Sequence, residues 1–314
     1  MTCLPRLVVI LGPTASGKSA LGVWLAEKLG GEVVVCDSTQ VYRHFDIGTA
    51  KVPVAEQRGI PHHLIDLVEP DELFTAGDYR RRAIEVLDDL RRRRKTAILT
   101  AGTGLYLRAL LEGLADAPAR SEELRERLRR KSKQRGPGHL HRVLFRLDRE
   151  AASRIAPRDT QKIIRAIEIR ILAGSSVGEI HRSGRVALEG YDIRKIGLLP
   201  PRPALYARIN ARVKTMMDAG WIDETRRLID RGIPAGAKPF QFIGYSELRR
   251  HLEGHLSKEE AVHQIQQATR RFAKRQITWF RKEGDVHWLT GFNDDPQVMA
   301  ESLRIASRLE PVET

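Results

Sequence analysis

The residues Gly12-Pro13-Thr14-Ala15-Ser16-Gly17-Lys18-Ser19 fill every specified position of the phosphate-loop pattern G-x-x-x-x-G-K-[ST]. Few short strings constrain a fold so tightly. The loop works only between a buried parallel strand and a helix whose first amides face an anion. Both neighbours are legible in the sequence. Arg6–Gly12 is a short apolar, β-branched run that stops at a glycine, as a strand covered on both faces does. From Ser16 to Leu29, residues Ala20, Leu21, Trp24, Leu25 and Leu29 recur at helical spacing, and the pattern ends at Gly30-Gly31. The glycines let successive N–H groups curl around a phosphate, Lys18 adds a mobile positive charge, and the Ser19 hydroxyl suits a phosphate-bound Mg2+.

The rest of the chain repeats the rhythm. Strands are expected at Glu32–Asp37, His62–Leu67, Lys95–Ala101, Ile193–Leu199 and Val286–Leu289, with helices at Asp78–Arg94, Gly104–Leu114, Pro203–Ala219 and Trp221–Arg231. Ser257-Lys258-Glu259-Glu260 is a capping box that starts a long helix running to about Arg281. Strand alternating with helix predicts an α/β fold, a P-loop NTPase-like parallel sheet flanked by helices. Between its halves the texture becomes helical and basic, with Gln161–Leu172 the clearest segment and breaks at Gly136-Pro137-Gly138 and Ser183-Gly184. The expected organisation is a first part of the core at 1–117, an all-helical insertion at 118–190, and completion of the core with C-terminal helices at 191–314.

Charge narrows the partner. The 314 residues carry 54 Lys and Arg against 40 Asp and Glu, a formal +14, and residues 120–185 alone hold 18 against 8. A second basic stretch, Arg270, Arg271, Lys274, Arg275, Arg281 and Lys282, has no acid within it and is interleaved with Gln276, Thr278 and Trp279. Such an excess suits a polyanion, and a solvated basic face is the bland alternative. The longest apolar runs, such as Leu7–Leu11, are too short to span a bilayer, and the N-terminus has no secretory pattern, so a cytoplasmic protein is expected. Cys3 and Cys36 offer neither a disulfide framework nor a zinc site. Adjacent His62 and His63 on a strand point to opposite faces and have no ligand set around them, and Trp24 and Trp221 read as core.

A nucleoside triphosphatase normally ends an apolar strand in an acid that holds Mg2+. Here Thr96–Ala101 runs into Gly102-Thr103 with no acid, and the carboxylate stands instead at Asp37, at the end of the second strand. The carboxyl edge of a parallel sheet is where ligands bind in this class.

Taken in order, the P-loop, Asp37-Ser38-Thr39-Gln40-Val41-Tyr42, Asp46-Ile47-Gly48-Thr49-Ala50-Lys51, Gly59-Ile60-Pro61-His62-His63-Leu64-Ile65-Asp66, Gly102-Thr103-Gly104-Leu105-Tyr106-Leu107, Ile243-Gly244-Tyr245 and Ala273-Lys274-Arg275-Gln276-Ile277-Thr278-Trp279 resemble the bacterial tRNA dimethylallyltransferases. The resemblance runs from about residue 6 to about residue 290, and departs at Ala101, where the family usually has a glycine. It implies transfer of a dimethylallyl group from dimethylallyl pyrophosphate to N6 of the adenosine immediately 3′ of the anticodon (adenosine 37) in tRNAs reading codons that begin with U. The implied partners are the tRNA anticodon stem-loop and dimethylallyl pyrophosphate, the cofactor Mg2+, and the expected state a monomer without membrane attachment.

On this resemblance Asp37 is the base for N6, with a helix cap or Mg2+ ligand as its plainer role, and Thr103 orients base or pyrophosphate unless it is only an N-cap. Lys18, with Arg208 or Arg212 one turn apart, would carry the charge of the leaving pyrophosphate. The implied tRNA contacts are Asp37, Ser38, Thr39, Gln40, Thr103, Arg125, Gln161, Lys162, Ile163, Ile164, Arg165, Gly244, Tyr245, Lys274, Arg275, Gln276, Thr278, Trp279 and Arg281, with the basic insertion as a clamp on the anticodon loop. The rivals are a P-loop small-molecule kinase, an RNA-binding ATPase, and an isopentenyltransferase acting on free adenine nucleotides. A mononucleotide needs no long basic surface, which argues against the last.

Overall fold

Leu7 to Leu11 are fully buried, which only a strand covered on both faces achieves, and this strand lies inside a six-stranded parallel sheet. The computed structural model describes residues 4–115, 117–182 and 184–307, so Cys3 and Ser183 lie outside the described residues. The chain runs β1 (Arg6–Leu11), α1 (Lys18–Leu29), β2 (Glu32–Cys36), β3 (His62–His63), α2 (Ala76–Arg92), β4 (Ala97–Ala101) and α3 (Gly104–Leu111). Five helices follow, α4 (Glu122–Arg135), α5 (Pro137–Leu147), α6 (Arg149–Arg154), α7 (Thr160–Ala173) and α8 (Val177–Arg182). The sheet resumes with β5 (Asp192–Leu198), then α9 (Arg202–Asp218), α10 (Trp221–Asp230), α11 (Tyr245–Leu252), α12 (Lys258–Phe280), β6 (Val286–Leu289) and α13 (Pro296–Ser307).

The strand order is β3-β2-β4-β1-β5-β6, with every pair parallel. Alternation along each strand gives the sheet two apolar faces. Val8, Ile10, Val35 and Ile98 pack with Leu21 and Leu25 of α1 and with Val298 and Ile305 of α13. The other face lies toward α2, which packs on β2 and α3 and buries Tyr79, Ala83, Leu87 and Leu90. Because β1 has β4 on one side and β5 on the other, the connections leaving its two sides diverge. A crevice therefore opens at the carboxyl ends of these strands, which positions the site.

Of the expected strands, His62–Leu67 differs most, for only His62–His63 pair with β2. Leu64 and Asp66 take left-handed backbone conformations (φ 66° and 51°), which bend the chain out of the sheet. Residues 66–68 bond instead to the loop after β2, through Asp66 N to Gln40 O at 3.1 Å and Leu67 N to Val41 O at 2.8 Å. The helices α11 and α13 had no counterpart in the sequence reading.

The described chain divides into two compact units, Met1–Leu111 with Glu189–Thr314, and Glu112–Leu188, against the 118–190 expected from charge. The second unit is a helical cluster around Leu140, Leu144, Ala152, Ile163, Ile164 and Ile167. Among its described residues, Glu168 is a fully buried acid that accepts from Ser121 N (2.8 Å), Arg125 Nε and Nη2 (2.8 and 2.7 Å) and Arg165 Nη1 (2.6 Å). Burial pushes this carboxyl up, but the hydrogen bonds from Arg125, Arg165 and the Ser121 amide outweigh it and hold the pKa at about 2. Glu168→Ala would strand two guanidinium groups, and it is expected to destabilise this unit by about 2–4 kcal/mol in urea titration. In the wild type, this contribution is present above the ordinary value of 4.5 and is lost as the pH falls from there toward about 2.

Candidate active site

The cradle forms because the chain can adopt conformations most residues avoid. Gly12 (φ 149°), Ala15 (φ 62°) and Gly17 (φ 93°) turn the loop between β1 and α1. A Cβ at Gly12 would lie 2.6 Å from Leu198 O at the end of β5, so a side chain there would clash with backbone. α1 starts without a side-chain cap and without an acid in its first turn, so its N-terminal amides are open to an anion. Inside the loop Lys18 is half-buried and donates to Pro13 O at 2.8 Å. Burial lowers its ammonium to about 7, opposed by the charge of Asp37 and reinforced by Arg212. Ser16 is fully buried, and its hydroxyl has no hydrogen-bond partner among the described residues.

Two strand ends meet beside the loop. Asp37 follows β2, and its Oδ1 accepts from Thr39 N (2.8 Å) and Thr39 Oγ1 (2.7 Å). Its Oδ2 lies over Gly102 after β4, where a Cβ would come within 2.2 Å. Gly102 is therefore glycine because the carboxylate occupies the space. Thr103 is tied to the same segment, for its Oγ1 accepts from Ser38 N at 2.9 Å and donates to Ser38 Oγ at 3.1 Å. The amides of Gly102 and Thr103 both bond to Cys36 O at 3.0 Å. Asp37, Thr103 and the phosphate loop thus form one crevice edge.

The two candidate arginines separate. Arg212 of α9 reaches the loop, with Nη1 at 3.4 Å from Thr14 Oγ1, and burial lowers its guanidinium against the opposing charge of Asp37. Arg208 pairs with Asp294 and lies 3.8 Å over the Phe292 ring.

Several residues that the resemblance links to tRNA are structural in this fold. Ile163 and Ile164 are core, and Arg125 and Arg165 are committed to Glu168. Tyr245 is fully buried, donates to Glu224 Oε1 at 2.5 Å and accepts from Gly48 N at 3.0 Å, while Glu224 Oε2 accepts from Asp46 N and Ile47 N. Gly244 backs onto Trp221, whose ring a Cβ would meet at 2.0 Å. Gln276 is only 6% exposed. It accepts from Thr14 N and donates to Gly102 O, both at 2.8 Å, and so spans the phosphate loop and the end of β4. Gln40 holds the carbonyls of Thr49 and Ala50 at 3.2 and 3.5 Å. Trp279 packs on Gly104, with the Arg108 guanidinium 4.8 Å from its ring centroid.

Others remain open to solvent. Lys274, Arg275, Thr278 and Arg281 are exposed along α12, and Gln161 and Lys162 at the start of α7, where Lys162 pairs with Asp159 at 2.8 Å. Sequence reasoning missed a cation cluster in the second unit. Lys131, Arg135, Arg142 and Arg146 are exposed, and together with burial they lower the pKa of His139. Their spacing across α4 and α5 is invisible until the two helices fold together. It also missed Glu224, which looks like one more acid on an amphipathic helix.

Fold and cradle define a P-loop protein of the parallel α/β class. A family model described as IPP transferase matches residues 40–283. A tRNA dimethylallyltransferase of Koribacter versatilis is 50% identical over 96% of this chain and 98% of its own length, and one of Solibacter usitatus is 48% identical over 96% and 99%. The crystal structure of a full-length tRNA isopentenylpyrophosphate transferase from Bacillus halodurans is similar at a TM-score of 0.69 and 38% identity, covering 96% of this chain and 98% of that one. A eukaryotic dimethylallyltransferase captured acting on tRNA is similar at 0.79 and 27% identity, covering 91% and 74%. The chain belongs to the IPP transferase family.

The Lys18 environment makes a pH prediction. Below about 7 the ammonium is already charged; above it, an anion entering the loop must recruit a proton. Inorganic pyrophosphate affinity should therefore weaken as the pH rises through about 7, by up to tenfold per unit, with proton uptake measurable by calorimetry in buffers of different ionisation enthalpy.

Proposed function

We propose that this protein transfers a dimethylallyl group from dimethylallyl pyrophosphate to the exocyclic N6 of an adenosine in tRNA. The acceptor is the adenosine immediately 3′ of the anticodon in tRNAs reading codons that begin with U, and the enzyme acts as a monomer. The observation that carries this reading is a complete phosphate cradle with a carboxylate, Asp37, rather than a strand-end metal acid beside it, in a chain 50% identical to a tRNA dimethylallyltransferase.

The cradle amides and Lys18 bind the pyrophosphate, and Arg212 adds charge from α9. N6 attacks the carbon bearing the pyrophosphate, the carbon–nitrogen bond forms, and the carbon–oxygen bond breaks. The electron pair leaves with the pyrophosphate, whose growing charge the loop amides and the two cations stabilise. The proton lost by N6 goes to Asp37 Oδ2, since Oδ1 is held by Thr39. Thr103 fixes the Asp37–Ser38 segment through its bonds to Ser38.

Mg2+ fits the cradle. The Ser19 hydroxyl lies in the first turn of α1 with no protein partner among the described residues, and no group of three His, Cys, Asp or Glu side chains there forms a metal cage. A single hydroxyl plus phosphate oxygens and water is the ligand set this ion prefers. When bound it would neutralise charge on the pyrophosphate.

Phosphate contacts to the RNA come from the exposed cations of α12 and from the second unit, through Lys131, Arg135, Arg142, Arg146, Gln161 and Lys162. The second unit acts as the grip on the anticodon stem-loop. A base in a folded loop has to be extruded to present N6, so affinity from the flanking backbone must offset the lost stacking.

Labelled dimethylallyl pyrophosphate with unmodified tRNA should give labelled N6-isopentenyladenosine on nucleoside analysis; phosphoryl transfer from ATP to a small acceptor, with no prenylated RNA, would sink the reading. Asp37→Ala should slow single-turnover transfer by roughly two to four orders of magnitude while tRNA affinity changes little. A rate within about threefold of wild type excludes Asp37 as the base. Replacing Lys274 and Arg275 together by Ala should flatten the slope of log affinity against log salt by about 1.5, as expected for two lost phosphate contacts.

A further inference from the structure

The turn that follows β6 lies against the phosphate loop, beyond the segment that the family model matches. A Cβ placed on Gly17 would meet Asn293 Oδ1 at 1.7 Å and Asn293 Cβ at 2.7 Å. The carboxamide therefore occupies the space that a side chain at Gly17 would need, on the residue immediately before Lys18.

Everything around Asn293 is fixed. Asp295 N donates to Phe292 O at 3.2 Å and closes the turn, and Asp295 Oδ1 accepts from Gln297 N at 2.9 Å at the start of α13. Phe292 and Ala15 of the phosphate loop both pack on a cluster of Leu205 and Ile209 of α9 and Ala273 of α12. Arg208 holds both neighbours of Asn293 at once, with its guanidinium 3.8 Å over the Phe292 ring and paired with the Asp294 carboxylate. The Asn293 carboxamide, half-buried at the turn tip, makes no hydrogen bond among the described residues. A rigid turn thus presents an unused amide to the rim of an anion cradle.

We propose that Asn293 is a further pyrophosphate-binding residue and that Arg208 is the positioning residue that holds it in place. With Oδ1 lying against Gly17, the N–H2 is the edge of the Asn293 amide left to donate to a pyrophosphate oxygen, and it adds no charge. Arg208 neutralises Asp294, so the turn approaches the anion without bringing a bare carboxylate. The proposal rests on reading the loop as a pyrophosphate site.

The test is calorimetric titration of the full chain with inorganic pyrophosphate. Asn293→Ala should weaken binding roughly tenfold, the usual loss for one hydrogen bond to a charged group. Asn293→Asp keeps the shape and the packing on Gly17 but reverses the polarity, so it should weaken binding more than Ala does. A new carboxylate beside an anion cradle weakens binding whatever Asn293 does, so Asn293→Leu, which keeps the bulk against Gly17 and lacks the donor, separates the roles. If Asn293 only packs, Leu is spared, and if its amide donates, Leu loses about as much as Ala. Arg208→Ala should also weaken binding; with Asp294→Asn present, so that no carboxylate is bared, it should add little to Asn293→Ala, whereas direct contact between Arg208 and pyrophosphate would make the two losses additive. Thermal midpoint and tRNA affinity, both near wild type, report that each variant folds, and if Asn293→Ala does not fold, Asn293→Leu decides alone. Pyrophosphate affinity within about twofold of wild type for Asn293→Leu overturns the proposal. A wild-type chain that binds pyrophosphate in an Asn293-dependent way but transfers no prenyl group would overturn the proposed reaction and leave this assignment standing.

Discussion

A loop that binds an anion through backbone amides must be approached so closely from every side that no side chain fits in the gaps. That exclusion organises the carboxyl end of the sheet. Gly12 abuts the Leu198 carbonyl, Gly102 lies under the Asp37 carboxylate, and Gly104 lies against Trp279. Each close approach brings a working group to the crevice, so the glycines fix geometry as well as allowing it. Gln276 completes the arrangement by bonding the loop to the end of β4 with two hydrogen bonds of 2.8 Å. Buried amides of this kind are costly to leave unpaired, on the order of 1–3 kcal/mol each, so the loop and the β4 turn are held to one spacing.

The parts legible from sequence are those in which local pattern and tertiary role coincide. β1 and β4 are continuous apolar runs because both faces are covered, and the Ser257 capping box marks the start of α12 because its hydroxyl bonds Glu260 N. β3 was overextended because Leu64 and Ile65 are as apolar as strand residues, while the left-handed turns at Leu64 and Asp66 carry no glycine to announce them. Among the candidate site residues, Lys18, Asp37 and Thr103 stand out in the sequence because they sit in the phosphate loop and just after strand ends. Tyr245, Gln276, Ile163 and Arg165 were assigned to RNA because they sit in recognisable strings, and a string does not tell a buried side chain from an exposed one. The Arg208–Arg212 ambiguity has the same origin. One helical turn separates them in sequence, yet Arg212 reaches Thr14 of the loop while Arg208 is engaged by Phe292 and Asp294.

Basic composition alone is weak evidence for a polyanion, because many arginines of this chain pair with acids locally. On α2, Arg81 pairs with Asp78, Arg82 with Glu85, and Arg93 just beyond the helix with Asp89 and Glu32. On α4, Arg129 pairs with Glu122. The exposed part of α12 differs: Lys274, Arg281 and Lys282 have no acidic partner among the described residues, and Arg275 rests only against the Phe272 ring, 5.7 Å from its centroid. Like charges one turn apart, such as Arg270 and Lys274 or Arg271 and Arg275, each destabilise a helix by a few tenths of a kcal/mol. The inward face overcomes this through Ala261, Ile265, Ala273 and Phe280 and the paired amide of Gln276. One helix therefore carries an outward row of uncompensated charge on the same turns that brace the phosphate loop. A merely soluble surface would have paired those charges as α2 does, and a row left unpaired on the helix that supports the chemistry is what a phosphate backbone would complete.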